Sequence, residues 1–90
     1  MRIRRVVANG RKRAFEVETS SRKLLFPFGK SDPKPTPRDR VVQVSVDSEL
    51  GHEAFTYLLE SGREGTVHVE QVLEYNQDPG YLRDLLPLTG

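Results

Sequence analysis

Ala54-Phe55-Thr56-Tyr57-Leu58-Leu59-Glu60-Ser61-Gly62-Arg63-Glu64-Gly65-Thr66-Val67-His68-Val69 is the stretch whose reading decides the fold. Phe55, Leu58 and Leu59 fit helical spacing, with Gly62 as a C-cap. Phe55, Tyr57 and Leu59 fit strand alternation equally well. The residues after Leu59 favour the strand. Glu60 to Gly65 is a glycine-containing loop that leads into the β-branched run Thr66-Val67 and Val69. We therefore expect a hairpin, Ala54–Leu59 against Thr66–Val69.

Upstream of this hairpin, Val41-Val42-Gln43-Val44-Ser45-Val46-Asp47 is the cleanest strand, with Val42, Val44 and Val46 on one face. Before it, Gly29 to Asp39 holds Pro33, Pro35 and Pro37 among Lys30, Lys34 and Arg38, a composition for an extended polyproline-like loop. Leu24, Phe26 and Phe28 alternate as a short strand. Pro27 donates no hydrogen bond, so that strand belongs at an edge. At the N-terminus, strands Arg2–Ala8 and Ala14–Thr19 flank Asn9-Gly10. A two-residue loop would pair Ile3 with Glu16. A longer loop over residues 9–13 pairs Val7 with Phe15, Arg5 with Val17 and Ile3 with Thr19, which gives a better apolar face.

Downstream, Val69, Val72 and Leu73 form a helical stripe that ends at Asn76-Gln77. Asp78-Pro79 is an N-cap followed by proline at the first helical position, and Tyr81, Leu82, Leu85 and Leu86 line a second helix stopped by Pro87. No internal repeat is evident. The reading is a single α+β domain over residues 1–90. It has a mostly antiparallel sheet of four to five short strands, with a C-terminal helical segment packed on one face. The expected core is Ile3, Val7, Phe15, Val17, Leu24, Phe26, Val42, Val44, Val46, Phe55, Leu59, Val67, Val72, Leu82 and Leu85.

The charge is strongly polarised. Residues 1–45 carry 12 Lys/Arg and 4 Asp/Glu, and residues 46–90 carry 2 and 9, so a formal net charge of +1 conceals opposed halves. The absence of cysteine excludes disulfides, zinc–cysteine sites and thiol nucleophiles. No run approaches the ~18 apolar residues of a membrane helix. Met1-Arg2-Ile3-Arg4-Arg5-Val6-Val7 lacks the apolar region of a signal peptide, so the default expectation is a cytoplasmic protein without membrane contact.

Chemistry-bearing patterns are sparse. His52 beside Glu53, and His68 two residues before Glu70, do not form a metal-ligand spacing. Ser48, His52 and Glu53 carry no nucleophile–base signature beyond proximity. A loop histidine and a polar-face strand histidine account for both. The expectation is a non-enzyme without cofactor or metal. The basic residues say more. Arg2, Arg4, Arg5, Arg11, Lys12 and Arg13 fall on one hairpin and its loop, where they could track a phosphate backbone. Lys30, Lys34, Arg38 and Arg40 form a second cluster. No stacking aromatics interleave with them. The competing expectation is that these positives lie against the acidic C-terminal half.

Phe15-Glu16-Val17-Glu18-Thr19, Val41–Asp47 and Gly65–Asn76 continuing into Asp78–Leu86 together resemble a small bacterial domain family of unknown function. In that family two β-hairpins and a few helices make a compact α+β unit, and some members stand N-terminal to a λ-repressor-like helix-turn-helix domain. The resemblance implies an uncharacterised accessory or interaction domain of bacterial regulatory type, either a whole protein or the N-terminal module of a longer one, and supplies no catalytic residues. A protein partner or an adjacent DNA-binding domain is then favoured over a small molecule. Direct nucleic-acid binding through the basic hairpin is the alternative, and oligomeric state is open.

Overall fold

Six strands and one helix are recorded in the computed structural model, which describes residues 2–76, with Leu50 by its backbone alone. They are β1 (Ile3–Asn9), β2 (Ala14–Thr19), β3 (Lys23–Pro27), β4 (Val41–Val46), β5 (Ala54–Leu59), β6 (Glu64–His68) and α1 (Val69–Tyr75). The ambiguous stretch is indeed a hairpin, β5–β6, and the chain remains α+β. The expected single sheet of four to five strands is not what forms. Two three-stranded antiparallel meanders, β1-β2-β3 and β4-β5-β6, pack on a shared core.

The two meanders are built alike. Each opens on a bulged strand, with the pairing slipping between Ile3 and Arg5 and again between Val41 and Gln43. Each central strand begins Ala-Phe (Ala14-Phe15, Ala54-Phe55) and shows the same alternation of buried and half-buried positions. The repeat is thus structural, and the two central strands share only their first two residues. β1 lies beside β4, yet the two do not pair in a ladder. A bulge bends and twists its strand, and one in each of these neighbours works against a continuous six-stranded sheet.

The bulges also correct the expected faces. Ile3 opposes Thr19 as expected. Beyond Arg4 every pair is shifted by one, so Val7 opposes Glu16 and is 41% exposed, while Val6 and Ala8 turn inward. Val42 is likewise turned out, 58% exposed, and Val41, Val44 and Val46 pack against the core. A slip of one residue inverts a strand's faces. Strand alternation alone therefore misassigns Val7 and Val42. Of the other expected core residues, Ile3, Phe15, Val17, Leu24, Phe26, Phe55, Leu59, Val67 and Val72 are buried, together with Tyr57, Val69 and Leu73. The second helix, with Leu82 and Leu85, lies outside the described residues.

Phe15 is the centre of the core. Its fully buried ring lies 4.9 Å from Phe28, 5.0 Å from Phe55 and 4.9 Å from Tyr57, joining both sheets. Tyr57 extends this cluster outward. Its hydroxyl donates to Pro33 O at 2.6 Å and holds the proline loop against sheet two. The loop is not free polyproline. A 3-10 turn at Phe28–Lys30 starts it, Ser31, Pro33 and Pro35 are buried, and Thr36 and Asp39 pair in a tight turn. Gly65 sits opposite Tyr57, where a Cβ would stand 2.5 Å from the tyrosine oxygen and 2.7 Å from Asp32 O. α1 follows β6 directly. Gln71 Oε1 accepts from His68 N at 2.9 Å, and at the other end Asn76 Nδ2 donates to Leu25 O at 2.8 Å, tying the helix to the edge of sheet one.

Burial, the largest cause, together with the charge of Asp32 pushes the Tyr57 phenol above its ordinary value, against the opposing pull of Ser31 and Arg63. A raised folded pKa means stability that is complete below the unfolded value and lost as pH rises past it. Tyr57→Phe should lower unfolding free energy by about 1–2 kcal/mol at neutral pH in urea titrations. It should also flatten the alkaline fall seen in the parent. Equal alkaline slopes in the two proteins would refute this role. Gly65→Ala should cost about 1–3 kcal/mol through overpacking.

Candidate functional site: the basic hairpin and the proline loop

The fold separates the six basic hairpin residues instead of gathering them. Arg2 lies at the far end of β1, where its Nε donates to Gly51 O at 3.4 Å. Arg11, Lys12 and Arg13 lie at the other end, roughly 20 Å away along the strand. Arg4 occupies the bulge, and Arg5 stands directly opposite Glu18.

On the outward face of sheet one the residues form cross-strand rows. Arg5, Glu18 and Lys23 make one row; Val7, Glu16 and Leu25 make the next. Lys12 reaches Glu16 at 3.6 Å. These side chains line a shallow groove of ≈ 450 Å³, in which Val7 and Leu25 (38% exposed) remain open to water. Positive residues here alternate with carboxylates of the same hairpin. The expected neutralisation by the acidic C-terminal half occurs at Arg40, whose Nε meets Glu60 at 3.2 Å. Charge elsewhere stays divided: residues 2–30 hold nine Lys/Arg and two Glu, whereas residues 41–76 hold one Arg and seven Asp/Glu.

The hairpin tip and the proline loop, distant in sequence, come together. The β1–β2 loop is four residues, Gly10–Arg13. Asn9 Oδ1 braces it by accepting from Arg11 N at 3.0 Å and Lys12 N at 3.2 Å. Arg13 closes it at φ 52°, and its carbonyl accepts from Phe28 N at 2.9 Å. A left-handed conformation costs a side-chain-bearing residue about 1–2 kcal/mol, which glycine or asparagine would largely avoid. Opposite, Asp39 accepts from Ser61 N and Oγ at 2.9 and 2.8 Å, and Arg40 N and Nε both donate to Glu60 Oε1. Between these braced segments opens a cleft of ≈ 490 Å³ whose walls include Arg13, Phe28, Pro35, Pro37 and Arg40. Sequence reasoning found both basic clusters but not their junction, which depends on the Phe28–Arg13 hydrogen bond and the Tyr57–Pro33 anchor. Among the described residues no carboxylate pairs with Arg11 or Arg13.

Neither groove is lined by a histidine. His52 sits at φ 64° in the β4–β5 turn, with its carbonyl accepting from Ile3 N. Its buried Nδ1 has no hydrogen-bond partner among the described residues. The described residues include no cluster of three potential metal ligands, and no helix among them is long and apolar enough to cross a membrane. Comparison of the chain with family models, with curated proteins and with solved structures returned no significant match.

The backbone bond from Arg40, then its side-chain bond and charge, hold the Glu60 carboxyl below its ordinary range. A depressed folded value means stability present above the unfolded value and lost as pH falls through the folded one. The urea midpoint of the parent should therefore fall more steeply on acidification than that of Glu60→Gln. Parallel acid limbs would show that the bridge does not couple to folding.

Proposed function

We propose that this chain is a non-enzymatic interaction domain of bacterial regulatory type, and that it docks a protein partner on the outward face of β1-β2-β3. The observation that carries this reading is the row Val7–Glu16–Leu25 beside Arg5–Glu18–Lys23. Two exposed apolar side chains have no use on a phosphate backbone, and two carboxylates among the positives repel one. A protein surface bearing an apolar anchor for Val7 and Leu25, carboxylates for Arg5 and Lys23 and hydrogen-bond donors for Glu16 and Glu18 satisfies both rows. The partner can be another chain or an adjacent DNA-binding domain.

Direct nucleic-acid binding retains one supporting observation. Arg11 and Arg13 stand exposed at the tip, unpaired among the described residues. That site would be the tip alone, not the whole set Arg2, Arg4, Arg5, Arg11, Lys12 and Arg13, because Arg2 lies at the other end of the strand and Arg5 faces Glu18.

Peptides selected from a random display library on the folded chain test the proposal. They should carry acidic residues flanking an apolar one. Their binding should fall about tenfold or more in Val7→Asp and Leu25→Asp, and persist when Arg11 and Arg13 are alanine. Selected peptides whose binding ignores both face substitutions would overturn it.

A further inference from the structure

We propose that the cleft between the hairpin tip and the proline loop binds a phosphate monoester that also bears a flat ring, the chemistry of a mononucleotide. This is independent of the protein-docking face, which lies on the outer side of sheet one. Four features of the cleft converge. Its ≈ 490 Å³ volume falls in the ordinary range of small-molecule sites. Its walls include both Arg13 and Arg40, and no carboxylate lines it. Phe28, half-buried and braced edge-on by Phe15 at 4.9 Å, lies with Pro35 and Pro37 as a platform for a ring.

The fourth feature is the backbone at Arg13. The chain holds an arginine in a left-handed conformation where glycine or asparagine would sit more easily. Strain retained at a residue that lines a cleft points to a use for its side chain. The anion follows from the donors. The lining residues offer two guanidiniums, Arg13 and Arg40, and the Thr36 hydroxyl, more donors than one carboxylate accepts and a set suited to the three terminal oxygens of a phosphate monoester. Glu60 accepts from Nε of Arg40 and offsets its charge, so among the described residues Arg13 is the uncompensated cation of the cleft and Arg40 adds its terminal nitrogens as donors.

Amide shifts of the labelled chain at physiological salt decide the matter, with adenosine 5′-monophosphate, phenyl phosphate, benzoate and inorganic phosphate as probes. The two ring phosphates should move Gly10, Arg13, Phe28, Thr36 and Arg40, and bind about tenfold or more tighter than inorganic phosphate or benzoate. Arg13→Asn separates binding from folding, because asparagine relieves the strain. Its melting temperature should hold or rise while affinity falls about tenfold or more. Inorganic phosphate or benzoate equal to the ring phosphates, unchanged affinity in Arg13→Asn, or no shifts in the cleft would each overturn the proposal. A 5′-phosphorylated oligothymidylate identifies the source. Binding equal to the mononucleotide supports a strand end, and exclusion supports a free nucleotide; both uphold the chemistry.

Discussion

The Phe15 ring is the contact on which the rest of this molecule depends. It belongs to the first meander, and two of its three ring neighbours, Phe55 and Tyr57, belong to the second. β1 and β4 lie alongside each other without a ladder. What holds the two small sheets together is therefore chiefly side-chain burial, not a shared ladder. Aromatic pairs in such arrangements add about 0.5–1.5 kcal/mol each beyond their buried area. In a chain of this size that is a sizeable share of a net stability of a few kcal/mol. From the same cluster, Phe28 fixes the hairpin tip and Tyr57 fixes the proline loop. The core thus sets the geometry of the cleft at the surface.

The fold divides the positive charge of the N-terminal half into two kinds of surface. Along the hairpin, Arg5, Lys12 and Lys23 alternate with Glu16 and Glu18, a compensated face with apolar residues showing through. At the tip the compensation stops, and Arg13 shares its cleft with a loop tied by hydrogen bonds to the second sheet. Mixed charge with apolar surface suits protein recognition, while an unpaired guanidinium in a cleft free of carboxylates suits an oxyanion. One half of the chain can then serve two different ligands without competition between them.

Much of this was legible in the sequence where short-range rules apply. Period-two alternation located the strands, Pro27 marked an edge, and the glycine-containing loop before Thr66 resolved the ambiguous hairpin. What the sequence hid was a pair of single-residue bulges. Nothing local at Arg4 or Val42 distinguishes a bulged residue from a paired one, and each reverses the faces of its strand. Alternation therefore assigns Val7 and Val42 to the core and implies one sheet in place of two. The basic residues were visible as clusters, but their separation along β1 and the meeting of tip and loop are tertiary facts. They rest on Phe28–Arg13 and Tyr57–Pro33 contacts between residues whose types carry no pairing signal. The phosphate cleft was invisible for the same reason.

The division of charge is tested most directly by titrating isotope-labelled chain with random-sequence duplex DNA, first at low and then at physiological salt. If the sheet face is compensated and the tip is open, shifts will fall at residues 10–13 and 34–40 and fade as salt rises, with Arg5, Glu18, Lys23 and Leu25 unmoved. Shifts that run from Arg2 through Arg5 and across the outward face of β2 and β3 would contradict the account, because a phosphate backbone would then be using the surface assigned to protein.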